Sequence, residues 1–152
     1  MLLPITFHFV IGNSNRMDDP LLRYPGYALR RAANATAAEL SARLAALDLR
    51  QSDASMLMLV ASNPGATSSA LGRALGIERA NMVPLLKRLE EAGLIEREAI
   101  DGKSQGLRLT SAGQRRLAEA RQIIETFEAE LVARVPSEHR EHLLPALNAI
   151  WR

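Results

Sequence analysis

The sequence predicts a mainly α fold that carries one two-stranded β hairpin. Three observations predict it. Ala, Leu and Arg, all strong helix formers, dominate a chain in which only 4% of residues are aromatic. Apolar residues recur at helical spacing along most of the 152 residues. One stretch breaks that rhythm around Asp101-Gly102, a pair that favours a tight hairpin turn. A hydrophobic share of 47% is ample for a core, and the length suits one domain.

The elements follow in order. Met1 to Ile11 is mostly apolar but too short to span a bilayer. It also lacks the positive start and small-residue cleavage site of a secretory signal. Residues 1–16 are therefore read as an N-terminal extension, either lying upstream of a true start at Met17 or forming an apolar arm that packs on a partner subunit. After Pro25-Gly26, the stretch Tyr27 to Leu47 reads as one long helix with room for a break near Asn34–Thr36. Ser52 or Asp53 caps a second helix that stops at Asn63-Pro64-Gly65. Ser68 caps a short helix that ends at Gly76.

Glu78 or Arg79 opens a longer helix, closed by Gly93, in which Met82, Leu85, Leu86 and Leu89 share one face. Leu94 to Ile100 reads as a strand, and Leu107 and Leu109 belong to its return. Ser111, with Gln114 three residues on, has the form of a capping box for a long helix. Pro136-Ser137 restarts a last helix that reaches Trp151 and should kink at Pro145.

Short helix, Gly turn, second helix and hairpin is the order of a winged helix-turn-helix, whose second helix enters a DNA major groove. The fold class is thus mainly α: a winged helix-turn-helix with a two-stranded β wing and long N- and C-terminal dimerisation helices. The apolar stripes at either end of the chain are wider than a lone winged helix needs, which points to a homodimer. The division expected is 1–16 extension, 17–50 N-terminal dimerisation helix, 51–110 DNA-binding domain and 111–152 C-terminal dimerisation helices.

Charge says little. The net charge is +2, and residues 67–110 hold seven basic against six acidic side chains, so DNA contact must come from the placement of single residues. Acidic Glu90, Glu91, Glu96 and Glu98 should then turn away from the duplex. Arg79 and Asn81, at the start of the second helix, are candidates to read bases, since Arg pairs with guanine and Asn with adenine. Lys87 and Arg88 lie further along and suit phosphates. Ser68 and Ser69 at a helix N-terminus suit a phosphate too, as do Arg73, Arg97 and Lys103. Pro84 brings no hydrogen-bonding group to a base edge.

The absence of cysteine excludes disulfides, thiolate metal sites, a cysteine nucleophile and a cysteine redox sensor, and accords with a cytoplasmic protein. His139 and His142 are three residues apart, yet no third ligand is placed to complete a metal site, so no metal and no cofactor are expected. Nothing resembles a nucleophile–base set or a phosphate-cradling Gly-rich loop, so an enzyme is not expected. Two readings remain: a DNA-binding regulator, and a winged-helix module that binds protein without specific DNA binding.

The stretch Ala70-Leu71-Gly72-Arg73-Ala74-Leu75-Gly76-Ile77, then Leu89-Glu90-Glu91-Ala92-Gly93-Leu94-Ile95-Glu96-Arg97, then Asp101-Gly102-Lys103 and Leu107-Arg108-Leu109-Thr110-Ser111-Ala112-Gly113, resembles the MarR family of winged-helix regulators. That family shows an LA-x-x-LG helix, an LE-x-x-GL-(I/V)-x-R junction, a D-x-R wing tip and an LT-x-x-G start to the next helix. The resemblance implies a homodimer on double-stranded DNA, with two heads on half-sites of a pseudo-palindromic operator, acting as a ligand-released repressor. It also implies a small effector, such as an aromatic acid or its thioester, bound between dimer helices and DNA heads. On that resemblance Tyr24, Tyr27, Arg30, Arg31, Met56 and Leu59 would line the pocket. The wing departs from the pattern: it is short, and Lys103 stands where the family has Arg. Lys keeps the charge but lacks the planar fork.

Overall fold

The computed structural model describes residues 18–100 and 104–151. The N-terminal extension and Lys103 lie outside the described residues. The helices are α1 Pro25–Leu44, α2 Gln51–Ser62, α3 Ser68–Leu75, α4 Arg79–Glu91, α5 Ser111–Ala133 and α6 Arg140–Trp151. Strands β1 Ile95–Ala99 and β2 Gln105–Leu109 form the antiparallel hairpin, with Arg97 opposite Leu107. The element order matches the expected one. α1 is uninterrupted through Asn34–Thr36, and α6 continues through Pro145.

Contacts divide the chain into two units, Met1–Asn34 and Ala35–Arg152. In the first, Asp19 accepts from the Leu21 N–H and caps a 3-10 turn, Pro20–Arg23, ahead of α1. In the second, α2 is the hub, packed against α3, α4, α5 and β2. Its Met56, Leu57 and Val60 are buried with Leu44, Leu71, Leu85, Leu86, Leu89, Leu107 and Leu117 in one core cluster. Each such side chain contributes about 2 kcal/mol by leaving water.

Three helix starts lie one or more residues earlier than expected, two of them because of where the capping side chain sits. A capping side chain must sit on an extended residue and reach forward to an N–H two or three residues on. Thr67, not Ser68, does this for α3, accepting from the Ala70 N–H at 3.3 Å. Thr110, not Ser111, does it for α5, accepting from the Gly113 N–H at 3.0 Å. At α2 the helix opens at Gln51, and Asp53 in its first turn accepts from the Arg50 N–H at 2.8 Å. The helix ends at Gly76 and Gly93 fall as expected. Both glycines have positive φ, 63° and 66°, which lets the next N–H reach back into the helix: Ile77 to the Gly72 carbonyl and Leu94 to the Leu89 carbonyl.

The hairpin is tied to the helices by a pairing that the sequence did not reveal. The Gly65 N–H donates to the Leu107 carbonyl and the Leu107 N–H to the Ala66 carbonyl, both at 3.0 Å. Gly106 lies so close to Gly65 that any Cβ there would strike its carbonyl. Gly113 is equally confined, against the Leu94 carbonyl. The Thr110 hydroxyl donates to the Gly93 carbonyl at 2.6 Å. These contacts set the angle at which β1 leaves α4, and so the position of the wing beside it.

Candidate nucleic-acid interface

α3 and α4 meet at the Gly76 turn, and their apolar sides close on Leu71, Met82, Leu85 and Leu86. Gly72 permits this approach, since a Cβ there would lie 3.2 Å from Met82 Cγ. What remains outside is a groove of about 460 Å³. Six of the expected DNA-contacting residues line it: Ser68, Ser69, Arg73, Arg79, Lys87 and Arg97. The fold thus gathers residues spread over thirty positions of chain onto one surface.

Their electrostatic states differ. Arg73 and Arg79 are exposed and pair with no carboxylate among the described residues. Lys87 lies 3.7 Å from Glu91, both well exposed, a pair too loose and too wet to hold it. Arg97 holds Glu90 at 2.6 Å, so Glu90 faces this groove rather than turning away from it. Glu96 and Glu98 behave as expected: they flank Arg108, at 3.2 and 3.8 Å, and do not line the groove. Ser68 is half-buried and Ser69 exposed, the first two residues of α3 at its positive end.

Two expectations change. The phosphate role foreseen for Arg88 is corrected, because its guanidinium grips Asp53 with Nη2 at 2.5 Å and Nε at 3.3 Å. Asp53 is 1% exposed. A carboxylate that deep needs a cation and donors to offset its lost hydration. Arg88 supplies the cation and the Arg50 N–H a further donor. This brace clamps α4 to the first turn of α2. Asn81 is exposed but lines a different groove, beside Arg50, Ser52 and Pro84. Residues two positions apart on a helix lie about 200° apart around its axis, so Arg79 and Asn81 do not share a face.

Sequence reasoning overlooked Val83, which stands in the groove beside Arg79 at 66% exposure. The signal was present: Val83 falls outside the buried Met82–Leu85–Leu86–Leu89 stripe. It also overlooked Asp53 as a partner for Arg88. No sequence spacing could have shown that, since the two are thirty-five residues apart.

Of the expected pocket residues in the first unit, Tyr27, Arg30 and Arg31 form one cluster, while Tyr24 pairs with Arg23 instead. Arg30 and Arg31 lie over the Tyr27 ring, at 5.4 and 5.8 Å, and Arg31 donates to the Tyr27 hydroxyl at 3.1 Å. That hydroxyl donates to Asp19 at 3.2 Å, and Arg23 covers the Tyr24 ring at 5.5 Å. In the second unit, Leu59 is half-buried against the core. Met56 is 0% exposed, and its expected pocket role is corrected to a core role. It offers no surface to a ligand.

Residues 47–104 match the model of the MarR family. A HTH-type transcriptional repressor of Mycobacterium tuberculosis, Rv2887, is 30% identical over 120 residues, which cover 78% of this chain and 84% of that protein. The chain belongs to the MarR family. It is a winged-helix transcriptional regulator. A regulatory protein named for the hcr operon of Thauera aromatica is 32% identical over 99 residues. That match covers 64% of this MarR-family chain and 60% of the Thauera protein.

Solved structures agree in fold. The repressor CouR bound to a 23-mer DNA duplex superposes with a TM-score of 0.83 at 32% identity, covering 91% of this chain and all of that one. CouR bound to p-coumaroyl-CoA gives 0.80 at 32% identity over 90% of this chain and 99% of that one. The Rv2887 complex with salicylic acid gives 0.67 at 27%, covering 88% and 97%. Among the described residues no helix is long and apolar enough to cross a membrane.

Proposed function

We propose that this MarR-family regulator is a homodimeric repressor that holds a pseudo-palindromic operator in double-stranded DNA and leaves it when an aromatic acid or an aromatic acyl thioester binds. One observation carries the reading. A relative of the same fold, 32% identical over nine-tenths of this chain, has been captured both on DNA and on p-coumaroyl-CoA. The gathering of Ser68, Ser69, Arg73, Arg79, Lys87 and Arg97 on one groove supports the DNA half. The Arg30–Arg31–Tyr27 cluster supports the ligand half: guanidinium groups pair with carboxylate or phosphate, and the ring stacks on an aromatic group.

The homodimer is supported by α6. None of its residues is buried, and Leu144, Leu147, Ile150 and Trp151 are all exposed, Ile150 and Trp151 by two-thirds or more. A helix kept in that state by one chain has its apolar side in water, and a second chain would remove it. Action in the cytoplasm fits a DNA-bound regulator. The domain limits proposed are those read from the sequence, with 51–110 as the DNA-binding part.

Gel shift on DNA upstream of the protein's own gene tests the reading. Specific binding should weaken steeply as salt rises, because phosphate contacts release counterions. Addition of p-coumaroyl-CoA, salicylate or related aromatic thioesters should release the DNA. Retention of the complex with all of them would remove the effector half. The lack of any specific shift would favour a protein-binding winged helix instead.

A further inference from the structure

The solvent side of α4 is apolar where a DNA-reading helix is expected to be polar. Its exposed residues between Arg79 and Lys87 are Ala80, Asn81, Val83 and Pro84. Ala80 and Val83 are three apart, so these two share one face. Asn81 and Pro84, also three apart, line the neighbouring groove instead. Val83 gains nothing for the fold in this place. It is 66% exposed, and a β-branched residue is a poorer helix former than Ala.

The surroundings say what such a face meets. Arg79 and Lys87 lie in the same groove as Val83, with Arg73 and Arg97 on its walls. A face made for another protein's apolar surface would not need that ring of cations. A duplex would use both parts. Its phosphates answer the cations, and its major groove presents one apolar feature, the C5 methyl group of thymine.

We propose that Val83, together with Ala80, reads thymine methyl groups in each half-site, while Arg79 and Lys87 supply hydrogen bonds and phosphate contacts around them. The inference rests on the reading of the chain as a DNA-binding regulator. Specificity at the centre of the half-site then comes from shape and apolar contact more than from an Arg–guanine or Asn–adenine pair.

Deoxyuridine removes the methyl group and leaves every hydrogen-bonding atom of thymine in place. The operator is first located by footprinting the full-length protein on DNA upstream of its gene. Each thymine is then replaced singly by deoxyuridine and the affinity measured. One or two positions per half-site should lose about fourfold, the worth of one buried methyl group, and the others nothing. Val83→Ala should bind the thymine duplex about tenfold more weakly and become indifferent to deoxyuridine at those positions. Its melting temperature should match that of the wild type, since Val83 touches no core. A footprint kept intact with no thymine sensitive to replacement would overturn the proposal. So would a Val83→Ala protein as sensitive as the wild type. The lack of any footprint would overturn the DNA-binding reading beneath it, a different result from either.

Discussion

α4 and α6 are alike in sequence and opposite in fate. They have 13 and 12 residues, each is amphipathic, and each carries an internal proline. α4 buries Met82, Leu85, Leu86 and Leu89, whereas α6 buries nothing. An apolar stripe at helical spacing therefore announces that a helix will be covered, not by what. α4 is covered by its own chain and is free to offer its other side to a ligand. α6 awaits a cover, which we assign to a second copy. The first test is to spoil that cover. Leu144→Glu combined with Ile150→Glu should turn the dimer into a monomer by light scattering. Operator affinity should fall by about a thousandfold, the gain that linking two half-site contacts confers. Because both residues are exposed, the monomer's helix content should persist. A double variant that remains dimeric would break the comparison, leaving α6 with no assigned role.

The companion test strikes the covered side. Gly113→Ala would drive a Cβ into the Leu94 carbonyl, where backbone lies on both sides and neither can give way cheaply. It should cost about 3 kcal/mol or more in urea unfolding. Gly26→Ala, with open space around the added Cβ, should change stability by under about 1 kcal/mol. Equal effects of the two would show that the α4–β1–α5 junction is less confined than its geometry indicates.

That junction also shows what could be read before the structure. The Leu109-Thr110 pair followed by Gly113 was legible as a motif. Its reason was not, because the clash that demands Gly113 is with Leu94, nineteen residues earlier. The helix order, the Gly76 and Gly93 stops and the hairpin were legible because periodicity and turn chemistry are local. Capping residues were misplaced by a single position, since Thr67-Ser68 and Thr110-Ser111 each offer two hydroxyls and only backbone geometry chooses. The site was half legible. Residue type identified the cations, but whether a cation faces DNA or a buried carboxylate depends on a partner far along the chain.

Arg88 and Arg79 make that last point testable on one helix. Arg88→Ala would strand the Asp53 carboxylate, buried with only a backbone N–H for company. It should destabilise by about 3 kcal/mol while changing DNA binding only through the loss of folded protein. Arg79→Ala should leave stability within about 0.5 kcal/mol and weaken specific binding by about tenfold. If it relaxes the preference at one position per half-site, Arg79 reads a base. Equal loss on all sequences makes it a phosphate contact. Reversal of the two phenotypes would undo the division of α4 into a braced side and a reading side.

The smallest expected effect lies on the outside of the covered region. Arg134 holds Glu39 through two hydrogen bonds of 2.8 Å, and Arg43 spans Glu39 and Glu130 at 2.7 and 2.5 Å, tying the end of α1 to α5. The hydrogen bond from Arg134, with that from Arg43 behind it, lowers the Glu39 carboxyl from 4.5 to about 2. Glu130 is lowered by its bond from Arg43. A carboxyl whose folded pKa lies below its unfolded value stabilises the fold fully above the unfolded value, here 4.5, and loses that contribution as pH falls towards about 2. Glu39→Gln should therefore be less stable than the wild type at pH 6, with the gap closing between pH 4.5 and about 2. These groups are open to solvent, so added salt should narrow the gap at every pH. A gap that is independent of both pH and salt would mean that Glu39 acts through packing. The bonds between α1 and α5 would then belong with the covered stripe of α4 rather than with its exposed charges.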